Sequence, residues 1–232
     1  MTSSSEKQQE GNSYPFSVRC CQEVLYEVMR DHNQRPWAKN VVKGAFESDR
    51  VPQGSRVLFV LNNNSRYVEL ALDYRRKRKL DCEIEVSDLE QGIERKGASF
   101  QSAYTTLQNR GIIFHKNKIP RRKYQTVFLI YVLEGICPAD NRQCLMEHVY
   151  AGLSKKGTVW IDMRGSDNTK IVQLNKAKKC DLGDLGFRTA NRTYLKTLNE
   201  DDIRELLQSA GFSEIETLLF TTRNVQFTAR KL

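Results

Sequence analysis

The chain has no apolar run approaching the ~20 residues that a helix needs to cross a bilayer. Its first residues, MTSSSEKQQEGNS, also lack the charged-then-apolar order of a secretory signal. These absences point to an intracellular, cytoplasmic protein with no membrane partner, the nucleus being left open as its compartment. Cysteine is sparse: Cys20, Cys21, Cys82, Cys137, Cys144 and Cys180 are scattered with no C-x-x-C spacing. Only three histidines accompany them, so reduced structural thiols and no metal are expected. His115 and His148 fall on an expected strand and an expected helix and are read as structural.

What the chain has in excess is positive charge. Thirty-seven Lys and Arg against 28 Asp and Glu give a net charge of +9, which raises the local concentration of a polyanion such as nucleic acid. A generally solvated basic surface is the alternative. Hydrophobic residues at 39% and charged residues at 28% are ordinary for a globular domain. Residues 1–13 read as a flexible tail, 14–50 as N-terminal helices packed on the core, and 51–232 as one α/β domain.

Apolar spacing predicts helices over 18–30 and 37–46. The run RVLFVL at 56–61 is too short and too β-branched for a helix and reads as a buried first strand. A helix over 65–80 follows, with Arg75, Arg76, Lys77, Arg78 and Lys79 at its C-terminal end, where cations suit the helix dipole. Strands are expected at 82–88, 111–116, 124–133 and 157–164, with a helix at 141–153 between the last two. Residues 165–191 have no period and read as a long irregular insertion. A helix at 199–212 has Asn199 as its cap and Gly211 as its stop, and a hairpin over 214–220 and 225–231 closes the chain. The sum is a doubly wound, mostly parallel, seven-stranded sheet with an antiparallel terminal hairpin.

Two stretches carry a family resemblance. One is YQTVFLIYVLEGICPADNRQCLMEHVYAGLSKKGTVWIDMR at 124–164, and the other is NRTYLKTLNEDDIRELLQSAGFSEIETLLF at 191–220. With the final hairpin they resemble class I S-adenosylmethionine-dependent methyltransferases, and the order of elements does so over 55–232. The resemblance implies a Rossmann-like methyltransferase domain and S-adenosylmethionine as cofactor. Where the family has a glycine-rich loop after strand 1, this chain reads VLFVLNNNSR at 57–66, with Phe59 in place of an acid and Leu61, Asn63 and Ser65 in place of glycines. Asparagine tolerates positive φ, so Leu61, Asn62, Asn63 and Asn64 can still turn tightly, although their side chains fill space that glycine leaves open.

The resemblance assigns Asp88 to the cofactor ribose, because a carboxylate at the end of strand 2 accepts two hydrogen bonds from a diol. Leu89 adjoins it, with Glu90 as the fallback acid. Asn117 is placed at the adenine, near Ile119 and Pro120, and Ile130 and Tyr131 at the end of strand 4 face cofactor and substrate. Trp37 and Lys39, together with Tyr131, are the candidate substrate contacts, since an aromatic ring beside cations suits a base or phosphate. Each has a plainer reading as a solvated acid, turn former or core aromatic.

No Asp/Asn-Pro-Pro-Tyr signature occurs at strand 4, so the sequence implies a methyltransferase of unspecified acceptor, nucleic acid among the candidates. The other reading is an inactive methyltransferase-like protein that acts as a nucleic-acid-binding or scaffold subunit with a protein partner. A nicotinamide-dependent Rossmann enzyme would need the same missing glycines and fits the terminal hairpin less well.

Overall fold

A computed structural model describes residues 37–48, 50–60, 65–88, 105–116, 119–120, 124–136, 139–165, 179–181, 185–188, 194–221 and 224–232. The expected tail at 1–13 and the first expected helix at 18–30 lie outside them. The main sheet contains β1 (Ser55–Val60), β2 (Cys82–Asp88), β3 (Ile113–Lys116), β4 (Tyr124–Ile130) and β5 (Leu153–Arg164), all parallel, and the antiparallel hairpin of β9 (Ser213–Phe220) and β10 (Asn224–Arg230). The order is β3-β2-β1-β4-β5-β10-β9, the seven-stranded sheet read from the sequence. β10 slots between β5 and β9, pairing Val225 with Met163 and Phe227 with Ile161.

Alternation along the strands sends side chains to two faces, and helices cover both. On one, Val57, Phe59, Val86, Phe128 and Ile130 pack against Val41, Ala45 and Phe46 of α1 (Trp37–Glu47) and Tyr67, Val68 and Ala71 of α2 (Ser65–Lys77). On the other, Leu58, Val127, Leu129, Ile161 and Phe227 meet Leu145, Met146 and Val149 of α3 (Ala139–Gly152) and Ile203 and Leu207 of α4 (Glu200–Ser209). Each such aliphatic or aromatic side chain contributes about 1.5–3 kcal/mol on burial, so this two-sided core dominates the fold's stability. Phe59, where an acid was a family expectation, stacks on Phe128 with ring centroids 4.7 Å apart. It fills the core under α1 and α2.

Two expectations are corrected. Strand 4 stops at Ile130, three residues before the expected end, because Tyr131 takes φ 58° and Leu133–Gly135 forms a 3-10 turn. The apolar letters continue past the strand, but the backbone direction does not. The stretch read as irregular at 165–191 contributes β6 (Lys179–Asp181) and β7 (Leu185–Arg188), which join β8 (Tyr194–Leu195) in a small antiparallel sheet. Strands this short show no hydrophobic period.

At α4 the cap is reciprocal. Asn199 Oδ1 accepts from the Asp202 amide at 2.8 Å, and the Asn199 amide donates to Asp202 Oδ2 at 3.0 Å. Gly211 ends the element with φ 96°, a conformation that suits glycine.

Candidate active site at the C-terminal edge of the sheet

In this strand order the sheet reverses direction of growth between β1 and β4, and ligands of doubly wound folds bind outside the strand ends at that point. Asp88 is the last residue of β2, beside β1, and is 1% exposed. Its neighbour Ser87 pairs with Val60 at the end of β1. Ile130 and Tyr131, at the end of β4, are 5% and 0% exposed. The edge therefore brings an acid from β2 and an apolar and an aromatic residue from β4 to the same level. Leu61, Asn62, Asn63, Asn64, Leu89 and Asn117 lie outside the described residues. Trp37 and Lys39 are placed in the first turn of α1 by backbone alone.

The turn after β4 is locked by a buried ion pair that sequence reasoning missed. Glu134 meets Arg164, the last residue of β5, with Oε1 and Nε 3.3 Å apart and side chains only 2% and 0% exposed. The Arg164 amide donates to Glu134 Oε2 at 2.7 Å, and the Arg164 guanidinium carbon lies 5.7 Å from the centre of the Tyr131 ring. The Tyr131 amide donates to the Asp162 carbonyl at 2.7 Å, which continues the β4–β5 ladder around the positive-φ residue. The Lys196 amide in turn donates to the Glu134 carbonyl at 2.9 Å, drawing the segment before α4 onto the turn.

Desolvating such a pair costs several kcal/mol per ion, so its net stability is small, whereas loss of one partner is costly. What it provides is position: Tyr131 and the ends of β4 and β5 are held in one arrangement. Next along the edge, Asp162 is fully buried and accepts from Asn224 Nδ2 at 2.8 Å and Gln226 Nε2 at 3.5 Å. The signal that could have revealed Glu134 and Arg164 is a pair of opposite charges, each placed directly after an apolar strand core.

A cleft of about 510 Å³ opens between the N-terminal half of α3 and the length of α4, lined by Asp140, Arg142, Lys196, Leu198, Asp202 and Glu205 among others. Asp88, Ile130 and Tyr131 do not line it. Among the described residues no group of three or more His, Cys, Asp and Glu could hold a metal ion. His115 lies on β3 and bonds to Glu85, while His148 Nδ1 contacts the Cys144 carbonyl oxygen at 2.7 Å. Burial pushes the Cys82 thiol up to about 11, leaving it protonated and unreactive at neutral pH. No helix among the described residues is long and apolar enough to cross a membrane.

No protein-family model matches the chain, and no curated protein matches its sequence. Solved structures do. Human N-acetylserotonin methyltransferase in complex with S-adenosylmethionine superposes at a TM-score of 0.56 and 17% identity, over 83% of this chain and 51% of that one, so the chain spans about half its length. The Burkholderia thailandensis 1,6-didemethyltoxoflavin-N1-methyltransferase, with 1,6-didemethyltoxoflavin and S-adenosylhomocysteine bound, gives 0.58 and 14% over 89% of this chain and 83% of that one. The PH0226 protein of Pyrococcus horikoshii OT3 gives 0.62 and 12% over 87% and 94%. At these identities the likeness concerns architecture. With five parallel strands in the order 3-2-1-4-5 and a terminal hairpin inserted beside the fifth, this chain has the class I methyltransferase fold.

Proposed function

We propose that the protein is an S-adenosylmethionine-dependent methyltransferase that holds its cofactor across the C-terminal ends of β1, β2 and β4. The observation that carries this reading is Asp88, a carboxylate 1% exposed at the last residue of β2 and beside the point where the strand order reverses. Its two oxygens suit the two hydroxyls of a ribose, and a position withdrawn from water strengthens those hydrogen bonds. Ile130, at the same level on β4 across β1, offers an apolar wall, and Leu61, Asn62, Asn63, Asn64, Leu89 and Asn117 complete the cofactor set in this reading. The bound cofactor supplies an electrophilic methyl group on a sulfonium. The protein's part is alignment, with Tyr131 and the Glu134–Arg164 pair shaping the acceptor side, since a well-placed oxygen or nitrogen needs no strong base to displace the sulfur. Two proteins of this fold are named for small acceptors, which favours a small molecule over a nucleic acid as the methylated group.

Calorimetric titration with S-adenosylmethionine and S-adenosylhomocysteine tests the reading. Binding on the order of micromolar is expected, with Asp88→Asn weakening it at least ~10-fold because one acceptor oxygen becomes a donor. An Asp88→Asn protein of unchanged melting temperature and unchanged affinity would remove the ribose assignment. No heat at millimolar cofactor would favour the rival reading, a cofactor-free scaffold, whose basis is the glycine-poor stretch VLNNNS.

A further inference from the structure

The parallel strands all begin at one edge of the sheet, and among the described residues positive charge collects there. α2 runs down to that edge and ends in Arg75, Arg76 and Lys77, with Arg78 and Lys79 just beyond. Arg75 Nη1 donates to the carbonyl of Cys82, the first residue of β2, at 3.3 Å, and Arg78 donates to the Phe46 carbonyl at the end of α1. Arg56 stands at the start of β1, Lys155 and Lys156 at the start of β5, and antiparallel β10 returns Arg230 and Lys231 to the same edge. Lys231 Nζ donates to the Tyr150 and Leu153 carbonyls at 2.8 and 2.9 Å.

Carboxylates balance part of this charge. Glu83 pairs with Arg56, Asp73 with Arg76 and Glu214 with Arg230, and Asp81 is exposed nearby. Lys77, Arg78, Lys79, Lys155 and Lys156 are all exposed and have no ion-pair partner among the described residues. At the opposite edge the balance among the described residues reverses, with Asp88, Glu134, Asp140, Glu200, Asp201 and Asp202 set against Arg66, Lys116, Arg142, Arg164 and Lys196. Among the described residues, charge is thus segregated along the strand axis.

We propose that the N-terminal edge of the sheet is a docking surface for the phosphate backbone of a nucleic acid, distinct from the edge where methyl transfer is placed. β2, β1, β4, β5 and β10 are consecutive neighbours, and at ~4.8 Å per strand the row of cations spans ~19 Å, or about six base pairs. The seven residues of β2 separate the two edges by ~20 Å, so a strand docked here does not present a base to Asp88 or Tyr131. Nucleic acid is therefore a tether, and the surface works whether or not the cofactor binds. An acidic membrane fits less well. Its peripheral binders add a continuous apolar face, and among the described residues the exposed large apolar side chains at this edge are only Ile113 and Leu232, at opposite ends of the strand row.

The test is fluorescence anisotropy with labelled duplexes of about 20 base pairs, DNA and RNA of one sequence, titrated over a salt series. The comparison protein carries Lys77→Gln, Lys79→Gln, Lys155→Gln and Lys156→Gln, and Lys43→Gln on α1 serves as the control for generic charge loss. The wild type and the control should bind with a steep salt dependence. The quadruple variant should bind at least tenfold more weakly at low salt, its log–log salt slope falling by about 0.9 for each phosphate that it no longer neutralises. Should its melting temperature drop, the Lys155→Gln, Lys156→Gln double variant replaces it. Unchanged affinity or slope in the variant overturns the proposal, as does no binding by the wild type. Tighter binding to phosphatidylserine vesicles than to either duplex would reassign the edge to a membrane surface. Titration with S-adenosylmethionine is read separately, so loss of the cofactor reading leaves this result interpretable.

Discussion

Gly157 lies at the join between the irregular start of β5 and its regular ladder with β4. A Cβ at this position would sit 2.8 Å from the Tyr124 carbonyl oxygen and 2.9 Å from that of Ser154. Both are backbone atoms, and the Tyr124 carbonyl already accepts from the Ser154 hydroxyl at 3.1 Å, so neither can retreat without loss. Tyr124 pairs with Leu153 and Thr126 with Thr158, which leaves the extra β5 residues looped out at this point. Gly157→Ala should therefore cost about 1–3 kcal/mol, as overpacking of a tight site does. Urea unfolding measures it, and a midpoint within error of the wild type would show that the bulge has room to relax.

α4 is tied to β9 by a polar cluster whose charge state can be followed. The Glu200 carboxylate accepts from the Thr217 hydroxyl at 2.7 Å and from Arg204 Nη2 at 2.8 Å. The Thr217 bond is the larger influence and Arg204 the next, and together they hold the Glu200 carboxyl below its usual range against a smaller effect of burial. A carboxyl with a lowered folded pKa contributes stability that is fully present above the unfolded value and is lost as pH falls through the folded one. The contact should thus weaken only at pH below the ordinary glutamate range. Thr217→Val should return the Glu200 titration toward that range in an NMR pH series, and an unmoved midpoint would mean that Arg204 alone sets it. Much at this scale was legible in advance. Asn199 with an acid three residues on announces the start of α4, and VLFV and TVWI announce buried strands. The end of β4 was not legible, because the letters of Tyr131 and Val132 report apolarity, not a φ of 58°. Asp88 stood out as an acid closing a strand. The Glu134–Arg164 pair did not, since the two residues lie 30 positions apart and meet only when β4 and β5 align.

Over the whole molecule, stability should grade from the centre of the sheet outward. β1, β4, β5 and β10 each have a strand on both sides, whereas β3 and β9 are edges. Only residues 117–123 separate β3 from β4, too few for a crossover helix between them. What fastens it is a buried acid. Glu85 of β2, fully buried, takes both the His115 ring of β3 at 2.5 Å and the Tyr124 hydroxyl of β4 at 2.7 Å on one carboxylate oxygen. Three strands thereby share one acceptor, and Ile113, 43% exposed, shows how little apolar burial holds the outermost of them. Amide hydrogen exchange should find β1, β4 and β10 protected to near the global unfolding free energy, with β3 opening at a lower one. Glu85→Ala leaves the buried Tyr124 hydroxyl and the partly buried His115 ring without this partner, at about 1–3 kcal/mol. The loss should speed exchange in β3 far more than in β10, which β1, β4 and β5 separate from β2. Equal acceleration in both would mean that β3 unfolds only with the whole sheet, and that the acid is part of the global core and not a local fastening.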